Sequence, residues 1–518
     1  MLNASGGLAQ ILGMLQSILT MRFLDPHAYG VWVGVSIVLQ YTNYAHAGLL
    51  YGQGIRLPFY RAQGDEARVS TIQDSVYAVW TVVTVIFAVG VALYGVMTPQ
   101  ANPVATVAYV CVALLAVLSQ QIAFFSSWQV SAKTDFKLGS VILVVQSVCS
   151  VIVTVGAAYF FGVRGVMIGS VIVSLVATLL WRAGSSYRFR GYLSRAALAD
   201  LLRVGLPVLV VVLAGMFIQT IDRIIVLRRL GAEALGFYSV TSLGGSFLYG
   251  LLSQAGSAVA PHISAERGGG VGSASVLAKY LVRPTLIFAG VSALIITLLV
   301  AAVPVLVTIV LPHYLPGLNA FYWFVPGFLF LGITLTANNI LCVVYAGQRR
   351  MSLVVGLQIA AVAVEAVVAW VAIGRGFGIA GAAFASTLAY AVYGVSLVVF
   401  AACVVIEPRG ERRTFLASVA VPVVYTLIVP AAAVLLARAL VPVGGARQVV
   451  LQAVLLCAAG VPLGYWLERR AGIVSELAEM LGSLVASLAG RSARRRRAGA
   501  DPLVPSDHII SSRPPESL

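Results

Sequence analysis

Charge is what this 518-residue sequence has least of. Asp, Glu, Lys and Arg together make up 10% of it, and lysine is confined to Lys133, Lys137 and Lys279. A soluble chain of this length needs far more ionic surface, so water-soluble enzymes and disordered scaffolds are excluded. A Gly-x-x-x-x-Gly-Lys-Ser/Thr loop is also missing, and no lysine follows a glycine, which argues against direct use of ATP. The five cysteines (Cys111, Cys149, Cys342, Cys403 and Cys457) are scattered singly through apolar stretches. They have the spacing of neither metal ligands nor a disulfide framework, so no metal and no cofactor is expected.

Apolar residues, by contrast, fill 60% of the chain, and the mean hydropathy is +0.96. An all-α polytopic membrane protein is expected. A hydrocarbon core about 30 Å thick takes roughly 20 apolar residues in a helix. By that measure fourteen spans are predicted, over 3–23, 30–53, 76–97, 104–128, 138–161, 163–181, 204–227, 236–260, 285–311, 320–345, 352–373, 378–402, 415–437 and 448–467. No Lys or Arg precedes the first span and no small-residue cleavage site follows it, so a removable signal peptide is not expected. The link over 187–203 carries Leu193, Leu198, Leu201 and Leu202, a pattern that predicts a short surface helix. No loop is long enough to hold a globular domain.

The net charge of +16 acquires meaning only when its bases are placed relative to a bilayer. With the N-terminus in the cytoplasm, 26 of the 34 Lys and Arg fall in inside segments. Arg22, Arg164, Arg228, Arg229, Arg375, Arg438 and Arg447 fall outside, and Arg223 lies within the seventh span. This bias predicts an even number of spans with both termini cytoplasmic. Nucleic acid is not an expected partner. Beyond the last span, Ile473, Leu477, Leu481, Leu484 and Leu488 mark one face of an amphipathic helix suited to the inner leaflet. The arginines at 494–497 suit anionic lipid, and the polar, Pro-rich stretch after Gly499 is expected to be disordered.

Two stretches repeat. Arg22-Phe-Leu-Asp-Pro-His-Ala-Tyr-Gly30-Val-Trp32 aligns with Arg228-Arg-Leu-Gly-Ala-Glu-Ala-Leu-Gly236-Phe-Tyr238 at an offset of 206. Phe161-Gly162-Val163-Arg-Gly165 aligns with Phe377-Gly378-Ile379-Ala-Gly381 at an offset of 216, and at that offset Lys133 faces Arg349. The expected organisation is two six-helix halves, 1–190 and 191–405, an added helix pair, 406–470, and a tail, 471–518. Because both halves start on the same side, the repeat is parallel, a transporter's plan with a cavity between halves.

The first corner, followed by Gly48, Pro58 and Gly64-Asp65, resembles the opening of polysaccharide-biosynthesis flippases. So does Ile221-Asp222-Arg223-Ile-Ile-Val with Leu230-Gly-Ala-Glu-Ala-Leu-Gly236-Phe-Tyr238 and Pro261. These flippases belong to the multidrug/oligosaccharidyl-lipid/polysaccharide exporter superfamily, and the resemblance covers roughly 1–405. It implies the bacterial inner membrane and alternating access, with a central cavity for the sugar–pyrophosphate headgroup of a polyprenol-linked glycan whose tail stays in the bilayer. The first helix begins almost at Met1, without the family's usual cationic leader, as a late-assigned start would give. The final helix pair exceeds the common twelve-span plan and is similar to the lipid II branch, without that branch's dense basic pattern in the second span.

An ionisable group at bilayer depth is a functional candidate by default. Glu365, about twelve residues into the eleventh span, reads either as a proton- or cation-coupling carboxylate or as a silent hydrogen-bonded one. Asp222 and Arg223 are placed roughly 7 Å inside the outer end of the seventh span, with Gln219 one turn before the arginine. Arg223 suits a phosphate by its guanidinium fork, or an inter-helix ion pair that closes the outer gate. Gln40, Asn43 and His46 form a polar stripe flanked by Tyr41 and Tyr44, fit for a sugar-cavity wall or for polar glue between helices. Thr334 and Asn338 are a weaker echo. Arg56 and Arg283 at span ends suit capture of the incoming pyrophosphate, or snorkelling to headgroups.

The expected function is transport, not catalysis: flipping of a polyprenyl-pyrophosphate-linked oligosaccharide or polysaccharide precursor. Anionic lipids are expected partners, and a glycan polymerase or glycosyltransferases are candidate ones. A cation-coupled multidrug exporter of the same superfamily is the alternative. A membrane glycan polymerase or ligase is disfavoured by the lack of a sizeable outside loop.

Overall fold

The computed structural model describes residues 2–97, 103–133, 136–185, 187–245, 248–250, 252–253, 274–345, 351–440 and 446–471. Among these residues there is no strand. Hydrocarbon offers no water to backbone N–H and C=O groups, so apolar runs satisfy them internally as helices. In order these are α1 (Leu2–Phe23), α2 (Pro26–Thr42), α3 (Leu49–Ala62), α4 (Glu66–Met97), α5 (Pro103–Lys133), α6 (Phe136–Cys149), α7 (Val155–Gly184) and α8 (Arg195–Phe217). Then follow α9 (Ile221–Tyr238), α10 (Ala274–Val310), α11 (Gly317–Phe324), α12 (Gly327–Tyr345), α13 (Met351–Gly374), α14 (Gly378–Val405), α15 (Arg409–Leu440) and α16 (Ala446–Ala471).

Among the described residues, nine helices are long and apolar enough to cross a membrane. The fourteen predicted spans do not map one to one onto helices, for identifiable reasons. A π-turn over Ser150–Thr154 joins α6 to α7, and α7 runs through Gly162, so the fifth and sixth predicted spans fuse. The second predicted span breaks over 43–48, where Ala47 and Gly48 take positive φ, and resumes as α3. The seventh breaks over 218–220, between α8 and α9. The eighth runs into residues outside the described set.

The two repeated motifs have matching geometry. Gly162 and Gly378, equivalent at the offset of 216, adopt φ of 59° and 55°, a left-handed turn that glycine makes without strain. At the offset of 206, Gly30 and Gly236 lie in a reciprocal contact. A Cβ on Gly30 would stand 1.7 Å from the Ala232 carbonyl oxygen, and one on Gly236 would stand 1.9 Å from that of Pro26. α2 and α9 therefore touch backbone to backbone at this corner end of the bundle. Nearby, the Arg22 guanidinium donates to the Val310 carbonyl that ends α10, at 2.9 Å.

The opposite end carries Arg56, Arg61, Arg68, Arg188, Arg190 and Arg195, and is called the basic end here. There α3 meets α8 just as closely, since a Cβ on Gly205 would lie 2.0 Å from the Gly48 oxygen and one on Gly52 would lie 2.4 Å from the Leu201 oxygen. The predicted surface helix over 187–203 is helical only from Arg195, as the first turns of α8. Residues 187–194 form an irregular strap, and the Ser194 hydroxyl caps α8 by accepting from the Ala197 N–H at 3.2 Å. The strap is held by a buried carboxylate. Asp74 on α4 accepts from the Tyr187 hydroxyl at 2.7 Å and from the N–H groups of Arg190 and Tyr192 at 2.9 and 3.2 Å. Burial, then the bond to Asp74, pushes the Tyr187 phenol above its ordinary value of 10.0. The phenol thus stays a neutral donor through physiological pH, and its contribution is lost only as pH rises through the raised value.

In the added pair, Gln452 on α16 is buried and donates to the Val300 carbonyl of α10 at 3.0 Å. Residues from 464 onward form a separate unit, in which the Arg469 guanidinium covers the Tyr465 ring at 4.6 Å. The predicted amphipathic helix and arginine run of the tail lie outside the described residues.

The Gly30 contact leaves no room for a methyl group. Gly30→Ala should lower the melting temperature of the detergent-solubilised protein, since overpacking costs about 1–3 kcal/mol. Gly54→Ala, on α3 with nothing within 4 Å of its Cβ position, should be neutral or stabilising by up to about 1 kcal/mol. Equal melting of the two variants would remove the close contact as a determinant of the fold.

Candidate functional site

The two helix breaks face each other. Freed backbone groups inside a bilayer must find partners, and here local side chains supply them. The Gln219 amide donates to the Gly215 carbonyl at 3.2 Å, and the Thr220 hydroxyl donates to that of Met216 at 2.9 Å. In the other break the Gly48 N–H donates to His46 Nδ1 at 3.0 Å. The Tyr41 and Thr220 hydroxyls bond each other across the gap.

Between the breaks lies a chamber of about 300 Å³, lined by Gln40, Asn43, Tyr44, Met216, Gln219, Thr220 and Arg223. A second chamber of about 360 Å³ shares Gln219 and Arg223, and is completed by Gln10, Tyr249, Ser253, Tyr390 and apolar residues of α12. Arg223 is therefore the cation common to both. Among the described residues it makes no ion pair, and its Nε is buried without a hydrogen-bond acceptor. A buried donor left unmade is costly, and an arriving oxyanion would satisfy it. Eight residues separate Arg223 from the turn at Gly231, so it lies about 12 Å below the corner. That is deeper than the 7 Å expected, because the helix continues beyond 227.

Asp222 and Arg223 do not pair with each other. The Asp222 carboxylate is fully buried; one oxygen accepts from the Arg223 N–H at 2.7 Å, and the other accepts from the hydroxyls of Tyr238 and Ser386 at 2.6 and 3.2 Å. The acid thus ties α9 to α14, while the arginine side chain is left to the chambers. Glu365 on α13 is also fully buried, and both its carboxylate oxygens lack a hydrogen-bond partner among the described residues. Asp222 and Arg223 lie near enough to act on it electrostatically.

Of the residues singled out from sequence, Gln40, Asn43 and Arg223 are brought together in one wall. His46 is not with them. It is buried, ringed by Tyr44, Tyr51 and Trp80 with centroids 5.1–6.2 Å away, and spends its Nδ1 on the break. The break turns the chain between Asn43 and His46, so the three-residue spacing does not hold one face. Arg56 is paired with Asp200 at 2.7 Å and lines a different cavity at the basic end. Arg283 is exposed on α10 and Asn338 half-buried on α12, and neither is among the residues lining the two chambers. Thr334 donates to its own helix at Leu331. Sequence reading missed Gln10, Tyr249, Ser253 and Tyr390. Gln10 and Ser253 were visible as polar residues in apolar spans, but nothing marked the two tyrosines.

Residues 19–267 match the family described as polysaccharide biosynthesis protein. Among solved structures, the lipid II flippase MurJ in an inward closed conformation aligns at 12% identity with a TM-score of 0.66, covering 90% of this chain and 98% of that one. An inward-facing multidrug resistance MATE family transporter of the MOP superfamily aligns at 14% identity with a TM-score of 0.56, covering 79% and 96%. A MOP superfamily transporter from Pyrococcus furiosus, described as having a binding pocket of reverse polarity, aligns at 13% with a TM-score of 0.54, covering 80% and 95%. No curated sequence matches the chain.

The arrangement predicts which positions water reaches. With the native cysteines replaced, Gln40→Cys and Gln219→Cys should react with a small hydrophilic maleimide, whereas His46→Cys and Glu365→Cys should not. Labelling of position 46 as fast as position 40 would return His46 to the chamber wall.

Proposed function

We propose that this multi-pass membrane chain, whose residues 19–267 belong to the polysaccharide-biosynthesis family and whose fold is that of the multidrug/oligosaccharidyl-lipid/polysaccharide exporter superfamily, flips a polyprenyl-pyrophosphate-linked oligosaccharide or polysaccharide precursor across the bacterial inner membrane. The observation that carries this reading is Arg223: a guanidinium at membrane depth with no ion pair among the described residues, common to two chambers whose polar lining is otherwise amides and hydroxyls beside aromatic rings. A guanidinium fork matches a diphosphate, and amides with aromatic faces match sugars.

In this reading the basic end faces the cytoplasm, both termini are cytoplasmic, and the halves 1–190 and 191–405 rock about the central chambers. The polyprenyl tail stays in the bilayer, and the tail's arginines hold anionic lipid. Glu365 and Asp222 are the coupling groups. Ionising both within α9, α13 and α14 costs several kcal/mol without a compensating proton or cation, which gives an ion gradient its point of action. Arg283 and Asn338 act outside the chambers of this state, and His46 serves the break.

The cation-coupled multidrug exporter ranks second. A cationic drug would meet Arg223 in both chambers, while the carboxylates that should attract it, Asp222 and Glu365, are buried. Arg223→Ala should stall lipid-linked intermediates on the cytoplasmic leaflet and deplete surface glycan, with Arg223→Lys retaining part of the activity. Normal surface glycan in the alanine variant would sink the role given to Arg223. Drug sensitivity with intact glycan on deletion of the gene would reverse the ranking.

A further inference from the structure

A third cavity, of about 340 Å³, opens at the basic end and lies apart from the central chambers. Its polar lining is Arg56, Tyr60, Arg68, Thr71, Ser194 and Asp200. Arg56 on α3 reaches Asp200 on α8 through a single Nη2–Oδ1 contact of 2.7 Å. Its Nε is buried and finds no acceptor among the described residues, so the guanidinium fork is only partly used there. Arg68 stands over the Tyr60 ring at 5.5 Å and holds only its near neighbour Asp65, at 3.2 Å in an exposed i,i+3 pair. Pairs of that kind are weak and exchange readily.

Two guanidinium groups, two hydroxyls and a tyrosine around one cavity form a receptor for a phosphate ester. An incoming phosphate oxygen and the Asp200 carboxylate ask for the same donors on Arg56, and the phosphate can use two at once. Asp200 also sits where α3 and α8 are pressed backbone to backbone at Gly52 and Leu201. Exchange of the acceptor on Arg56 thus removes the only ion pair between these helices among the described residues.

We propose that this cavity captures a phosphate or diphosphate ester at the basic end and that Asp200 is its built-in competitor, so that capture of the anion and release of the α3–α8 ion pair are one event. The proposal rests on the flippase reading, in which the basic end receives the substrate. Anionic phospholipid, free phosphate and a lipid-linked diphosphate share the chemistry it recognises.

The test uses the full-length protein carrying Arg223→Gln, which silences the central chambers, in nanodiscs of phosphatidylcholine titrated calorimetrically with inorganic pyrophosphate. Asp200→Asn should tighten binding about five- to tenfold and Arg56→Gln should weaken it at least about tenfold, the differences expected for charge-assisted hydrogen bonds. If Arg56→Gln does not fold, Arg68→Gln should still weaken binding about threefold. Competition by phosphatidylglycerol in the disc identifies a phospholipid headgroup as the occupant, and competition by a polyprenyl diphosphate identifies the lipid-linked anion. Asp200→Asn that lowers the melting temperature but leaves pyrophosphate affinity unchanged overturns the proposal, because the pair is then only structural. If that result accompanies loss of transport in Arg223→Ala, the flippase reading stands without this inference. Tightened binding in Asp200→Asn with normal glycan export in Arg223→Ala gives the converse.

Discussion

A peptide group in hydrocarbon has no partner but another part of the protein, and this constraint governs where the structure can be irregular. The chain departs from helix at membrane depth over 43–48 and 218–220, and at both places side chains take up the groups that the departure frees. His46 accepts the Gly48 N–H and the Gln219 amide covers the Gly215 carbonyl, while the Thr220 hydroxyl adds a second bond to a Met216 carbonyl that already takes the Gln219 N–H. Polar residues are thus needed at the breaks for the sake of the backbone alone. Once there, those not fully used (Gln219, Thr220 and the neighbouring Asn43) become the wall of a chamber. Backbone satisfaction and ligand chemistry draw on the same residues.

What brings the breaks face to face is the pair of glycine contacts that bracket them. Gly30 with Ala232 and Gly236 with Pro26 press α2 against α9 at the corner end; Gly48 with Gly205 and Gly52 with Leu201 press α3 against α8 at the basic end. Helices held at backbone distance cannot drift apart locally, so the chamber opens between the two contacts, where the chain is broken. About 18 Å of helix separates Gly30 from the end of α2 at Thr42, which sets the chamber deep within a core about 30 Å thick.

Much of this was legible in the sequence, and the limits are physical. Arg223, Gln40, Asn43 and Gln219 stood out because a polar group in an apolar span is rare enough to carry information. The repeat was legible in the same way: Gly162 and Gly378 matched in sequence and both take a positive φ, of 59° and 55°. The breaks were not legible, because hydropathy reports composition and is blind to φ. Ala47 and Gly48 read as ordinary members of a span, and that hid the rotation which removes His46 from the stripe. Nothing in the sequence singled out Asp74 or Asp200. Their roles depend on partners more than a hundred residues away, Tyr187 for the one and Arg56 for the other, and no local pattern encodes such a pairing.

The same distance argument bears on the central charges. Asp222 is held by three hydrogen-bond donors, which stabilise its carboxylate locally. Glu365, by contrast, has no donor at full hydrogen-bond geometry among the described residues, with Ser386 the hydroxyl nearest to serving it, and it lies within electrostatic reach of both Asp222 and Arg223. An anion seated on Arg223 would therefore raise the cost of negative charge at Glu365. A proton or cation taken up at Glu365 would lower the cost of that anion by the same amount, since linkage requires the two effects to be one free energy seen from either site. Coupling of this kind would need no moving wire between the groups, only one arginine that lines the chambers and lies within electrostatic reach of a buried carboxylate, the position Arg223 holds relative to Glu365.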